Sequence, residues 1–192
     1  MVAVSARRAI RAAILGLVVA APMACTSASP PTPPSATPSA SPARNATTAP
    51  LLPTQATALP DITPQTYGEL LTQLRGTPVV VNMWGSWCGP CRVEAPQLAA
   101  AAARYGTEVQ FIGIDLMDTR PSAEGFIRDA AWSYPSFFDP SSAGDVRSSL
   151  GYIGQPVTII YDADGTKVAD RQGQMPDGWL DAQLQDLAPQ GS

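Results

Sequence analysis

The chain has 192 residues, 16 of them acidic and 12 basic, giving a net charge of −4 with no histidine. That length accommodates one domain of common size plus extensions. With a single lysine, Lys167, there is no basic stripe to hold phosphates, which argues against a nucleic-acid partner. Three cysteines and no histidine cannot build a four-ligand Cys/His zinc site within one protomer, and no GxGxxG or P-loop pattern occurs.

Taken in chain order, the first segment reads as an export signal. Arg7, Arg8 and Arg11 form a basic start, Ala12 to Ala21 an apolar stretch too short for a bilayer, and Met23-Ala24-Cys25 a small-residue junction. A lipoprotein signal of residues 1–24 would be cleaved before Cys25, whose sulfur would then carry lipid and tether the protein to the outer face of a bacterial cell membrane. Pro22 departs from the usual lipobox, and Val19-Ala20-Ala21 offers ordinary secretion as an alternative. Loss of the leader leaves nine basic against 16 acidic residues, a net charge of −7.

From residue 25 to residue 60 the composition is rich in Ser, Thr, Ala and Pro, with Arg44 the only charge. Such a tract has few apolar side chains to bury and is expected to be an extended, disordered spacer. The folded domain is therefore expected at residues 61–192.

Within it, Thr66 to Leu74 has helical spacing, and Pro78 opens the first core strand. A helix runs from the 88–91 motif to about Tyr105, with Pro96 inside it, followed by a strand at Val109 to Leu116 and a helix at Pro121 to Ala131. Phe137 to Pro140 is a short strand ending in a turn, and Ala143 to Leu150 a short helix. Val157–Tyr161 and Thr166–Arg171 pair as a hairpin around Asp164-Gly165, and Asp177 to Leu187 forms a last helix. This order predicts an α/β fold, a mixed central sheet with helices on both faces. The aromatic group Trp132, Tyr134, Phe137 and Phe138 reads either as core or as the lining of a substrate groove.

Trp87-Cys88-Gly89-Pro90-Cys91 carries the chemistry. Two thiols three residues apart at a helix start lie on one face of its first turn, close enough to form a small disulfide. The unpaired N–H groups there favour a thiolate on the outer cysteine. Cys88 is accordingly the attacking sulfur. Cys91, one turn in, resolves the mixed disulfide with a substrate. Pro90 suits the first turn, and Gly89 allows close approach of a partner backbone. A static structural bridge is the bland alternative; a Cys-X-X-Cys beside this strand pattern is the mark of a thioredoxin-like redox site.

The block Val79 to Pro96 resembles the active-site region of the thioredoxin superfamily, and more closely its membrane-tethered extracytoplasmic branch with the TlpA, ResA and DsbE/CcmG types. Gly113-Ile114-Asp115, Tyr134 to Asp139 and Gly154 to Asp162 follow in that branch's order, so the resemblance covers Thr63 to Met175. It implies a thioredoxin-like fold, no cofactor beyond the redox-active Cys88–Cys91 disulfide, and a cis-proline at Pro156 facing the cysteines. Asn82 stands where thioredoxin has a buried aspartate, so the base lies elsewhere. The branch commonly places a glutamate at the position of Glu94, whose alternative is a solvated acid on an early helical turn. Trp87 either shields Cys88 or packs in the core. Gln155 departs from the branch; it would offer its backbone to an extended substrate strand and its amide to the mouth of the groove.

The expected activity is thiol–disulfide oxidoreduction on cysteine-containing exported proteins, apocytochromes c among them, with a membrane thiol–disulfide partner as electron donor. An oxidant in place of that donor would make the same pair a disulfide-forming oxidase. A thiol peroxidase needs a threonine at the position of Gly85, and a copper-binding module is disfavoured by the missing histidine.

Overall fold

The computed structural model describes residues 50–188, and the signal segment of residues 1–24, Cys25 and the tract up to residue 49 lie outside the described residues. The elements are α1 (Pro64–Gln73), β1 (Val79–Trp84), α2 (Gly89–Tyr105), β2 (Gln110–Leu116), α3 (Arg120–Asp129), β3 (Ser136–Asp139), α4 (Asp145–Ser149), β4 (Val157–Tyr161), β5 (Lys167–Gln172) and α5 (Trp179–Leu184). Every element read from the sequence is present. Local capping chemistry sets the boundaries. Helix α1 begins two residues before its apolar spacing does because Thr63 caps it reciprocally with Thr66 and Pro64 occupies the first turn. Thr119 caps α3 by accepting from the Ser122 amide.

The strands form one mixed sheet in the order β3-β2-β1-β4-β5. β1 runs parallel to β2 and antiparallel to β4, and β2 runs parallel to β3. β1 is buried along its whole length, as expected for a central strand covered on both faces. Alternation divides its side chains between two cores. Val80 and Trp84 join Phe111 beneath α2, α3 and α5, while Val79, Val81 and Met83 join Ile112 and Ile114 with Tyr67 and Leu70 of α1 and Val146 of α4.

The aromatic group belongs to the core. Trp84 stacks on Phe126 with centroids 4.7 Å apart and meets Trp132 edge-on at 5.1 Å. Trp132 and Tyr134 lie in contact at 5.0 Å, and the Trp132 indole N–H donates to the Ala95 carbonyl of α2 at 3.1 Å. Phe137 is buried in the opposite layer. The groove reading of these residues is thereby corrected.

The spacer is shorter than its composition suggests. Leu51 and Leu52 pack on the second core and Leu59 is fully buried in the first. Ile62 N–H donates to the Phe138 carbonyl, and Phe138 N–H donates to the Pro60 carbonyl, both at 2.9 Å. The Arg120 guanidinium reaches the Leu59 carbonyl and the Asp61 carboxylate. The boundary at residue 61 is corrected toward residue 50. The Pro- and Thr-rich composition runs on past residue 49, but three leucines there supply enough apolar surface to dock. Leu59→Ala is expected to destabilise the protein by about 2–4 kcal/mol, the range for emptying a buried leucine site. Urea unfolding measures this, and an unchanged midpoint would show that the segment does not contribute to the core.

Candidate active site

The cysteine pair sits where β1 hands over to α2. Cys88 is the N-cap of α2, and its sulfur accepts the Cys91 amide N–H at 3.3 Å. Cys88 and Cys91 are joined as a disulfide, with Cα atoms 5.3 Å apart. An N-cap sulfur facing the first free amides is placed where a negative charge is stabilised. Cys88 is 4% exposed and Cys91 1%, so the outer thiol is the more accessible one by a small margin. Gly89 and Pro90 are exposed, and no heavy atom lies within 4 Å of where a Gly89 Cβ would stand. α2 continues through Pro96 as one helix.

The Gln155–Pro156 peptide bond is cis. Antiparallel pairing sets Val157 opposite Met83, which brings Pro156 level with Trp84 at the end of the sheet where Cys88 enters α2. Gln155 differs from its sequence reading. Its Oε1 accepts from the Arg147 guanidinium, so the amide oxygen is turned to α4 and not to the mouth of the groove. Trp87 does not pack in the core. It is 55% exposed, and its indole N–H donates to the Met117 carbonyl at 3.0 Å. Gly85 makes room for this placement, since a Cβ there would stand 2.9 Å from that indole nitrogen.

Glu94 is fully buried on the same helical face as Cys91. Its Oε1 accepts from Asn82 Nδ2 at 3.0 Å and its Oε2 from the Met175 amide at 3.0 Å. Asn82 also donates to Thr158 Oγ1 at 3.1 Å. The solvated alternative for Glu94 does not hold. Burial raises its pKa, opposed by the Met175 and Asn82 hydrogen bonds.

A second buried acid, to which the sequence reading gave no role of its own, stands on β2. Asp115 is level with Trp84 and has no solvent exposure, and neither carboxyl oxygen has a hydrogen-bond partner within the described residues. Burial pushes its pKa up to about 8, aided by the charge of Asp118. Asp118 in turn accepts the Ser86 amide at 2.7 Å, tying this strand end to the turn that carries Trp87 and Cys88. Its signal in the sequence is a carboxylate within the apolar run Phe111 to Leu116.

The AhpC/TSA family model matches residues 56–169. The chain is 26% identical over 120 residues to the thiol–disulfide oxidoreductase ResA of Bacillus thuringiensis subsp. konkukian, covering 62% of this chain and 68% of that protein. It is 35% identical over 111 residues to the thiol:disulfide interchange protein DsbE of Allochromatium vinosum, covering 56% of this chain and 58% of that protein. Among solved structures, a DsbF homologue from Corynebacterium diphtheriae superposes with a TM-score of 0.55 at 28% identity, over 61% of this chain and 76% of that one. A secreted Mycobacterium tuberculosis disulfide oxidoreductase homologous to DsbE superposes with a TM-score of 0.53 at 27% identity, over 60% and 86%.

Since the folded-state pKa of Asp115 lies above its usual 3.8, the folded protein holds this proton more tightly than the unfolded chain does. Stability is therefore expected to fall as pH rises between about 4 and about 8, with the raised pKa of Glu94 adding in the same direction. Asp115→Asn should flatten that slope in urea titrations at several pH values. A slope equal to that of the parent would remove Asp115 as its source.

Proposed function

As the chain belongs to the AhpC/TSA family and is a thiol–disulfide oxidoreductase of the ResA and DsbE type, we propose that Cys88 and Cys91 exchange disulfides with cysteines of exported proteins. One observation carries this reading, the Cys88 sulfur as N-cap of α2, held by the Cys91 amide and bonded to Cys91 at the level of the cis-proline.

In the reducing direction the Cys88 thiolate attacks a client disulfide. A Cys88–client bond forms, the client S–S bond breaks, and one client thiolate leaves and takes a proton. Cys91 then loses its proton to Glu94 and attacks the Cys88 sulfur. The Cys88–Cys91 bond forms, the second client thiolate departs, and two electrons have passed from the pair to the client. The raised pKa of Glu94 suits it to hold that proton, and its hydrogen bonds to Asn82 and Met175 fix the carboxylate on the face of α2 it shares with Cys91. Pro156 and the backbone at Gln155 receive the client as an extended strand, with Trp87, Gly89 and Pro90 on the opposite wall.

Apocytochromes c are the proposed clients, and a membrane thiol–disulfide protein the electron donor. Export and lipid attachment at Cys25 follow from the basic, apolar and small-residue order of residues 1–25, and one structural relative is a secreted protein. The same atoms run in reverse would form disulfides in clients, with an oxidant restoring the pair. Peroxide turnover fits poorly. A threonine in place of Gly85 would set its Cβ 2.9 Å from the Trp87 indole nitrogen and 3.1 Å from the Leu116 carbonyl.

The reduction potential of the Cys88/Cys91 couple, measured in dithiothreitol buffers, tests the direction. A value near about −270 mV is expected for the reductase, whereas one near about −120 mV would overturn it in favour of the oxidase. Cys91→Ser should trap a mixed disulfide with client peptide, and Cys88→Ser should abolish exchange. In Glu94→Gln the inflection due to carboxyl ionisation should disappear from the pH–rate profile of exchange. A profile like that of the parent would return Glu94 to a packing role.

A further inference from the structure

Beside Pro156 the fold keeps a positive charge with nothing to balance it. Arg147, on α4, is 7% exposed. Its Nη2 donates to the Ala143 carbonyl at 2.9 Å, and its Nη1 to Gln155 Oε1 and, more weakly, to the Met117 sulfur at 3.9 Å. All three acceptors are neutral. No carboxylate pairs with this guanidinium among the described residues, and its Nε–H has no acceptor.

A guanidinium only donates, so it fixes the Gln155 amide with oxygen inward and nitrogen away. That nitrogen is also buried without an acceptor. Two hydrogen-bonded side chains thus each keep a covered, unmet donor, and one of them precedes the cis-proline. A buried charge lacking a counter-charge is costly, and unpaired buried donors add to the cost. The backbone nonetheless makes room for it. Gly144 has φ +68, and a Cβ there would stand 3.3 Å from the guanidinium carbon, so any other residue would be strained and would crowd Arg147.

The position links both walls of the groove. Met117, whose sulfur touches Arg147, holds Trp87 through its carbonyl, and Gln155 precedes Pro156. Exposed Ile153 and Met117 supply apolar surface near the donors.

We propose that Arg147 and Gln155 form an acceptor-seeking subsite that takes a carboxylate of the client close to its reacting cysteine, which makes Arg147 a specificity-determining residue. This rests on the exchange reading given above. An incoming carboxylate takes the place of the Gln155 amide oxygen on Nη1 and supplies the missing counter-charge.

The test uses the reduced full chain and three disulfide-linked peptides that differ only in carrying Asp, Asn or Lys beside the cysteine. Each rate is normalised to that peptide's reaction with dithiothreitol. The Asp peptide is expected to exceed the Asn peptide in kcat/KM by about tenfold, the size of one hydrogen-bonded charge pair, with the Lys peptide slowest. Arg147→Gln should bring the Asp/Asn ratio to about one, and Arg147→Lys, which keeps charge without the fork, should leave it in between. Equal rates for Asp and Asn in the parent, or an unchanged ratio in Arg147→Gln, would overturn the subsite. Should Arg147→Gln not fold, the parent ranking and the Arg147→Lys ratio decide the matter. Exchange with all peptides at equal rates sinks the subsite alone, whereas no exchange with any of them sinks the redox reading with it.

Discussion

The buried carboxylate of Glu94 is the tie on which the arrangement depends. It takes the side-chain amide of Asn82 from β1 and the backbone amide of Met175 from the segment after β5, and Asn82 passes on to Thr158 of β4. Three separate stretches of chain are thereby pinned to the helix that presents both cysteines. A charge-capable group in this position must be satisfied at every oxygen or expelled, and the fold satisfies it. The tie holds α2 against the sheet at Asn82. It also places a proton acceptor on the cysteine-bearing face of the helix.

A second theme is the uneven electrostatics around the pair. Among the described residues, the end of β2 contributes Asp115 with no hydrogen-bond partner, while α4 contributes Arg147 without a carboxylate. Left unpaired and buried, each of these groups lowers stability, and structures carry such costs where function needs them. Both flank the loop between β1 and α2. The strand side holds a weak acid that keeps its proton near neutral pH, and the α4 side holds a permanent positive charge.

Much of this was legible in the chain itself. The apolar runs at Val79–Trp84 and Val157–Tyr161 and the capping residues give local signals, and the Cys-X-X-Cys spacing carries its geometry with it. Pro156 was readable through its resemblance to the family's strand, which no local propensity reveals. What escaped reading depends on contacts across long stretches of sequence. Leu59 looks like one more residue of a Pro-rich tract until it meets the core, and Trp87 lies beside Gly85 with its indole N–H on the Met117 carbonyl. Arg147 appears as an ordinary charge in a short helix, and only folding shows that nothing acidic answers it. Glu94 stood between two readings because helical spacing places it one turn from Cys91 but cannot reveal Met175 lying over it.

The docking of residues 60–62 along β3 has a consequence for self-association. β3 is an outer strand of the sheet, and its Phe138 amide and carbonyl are taken by Pro60 and Ile62 of the same chain. The opposite rim, β5, carries the charged residues Lys167, Asp170 and Arg171. One margin is thus closed by the protein's own lead-in and the other discouraged by charge. Extended chains that come near, a second copy of this protein among them, are thereby kept from adding their strands to its sheet.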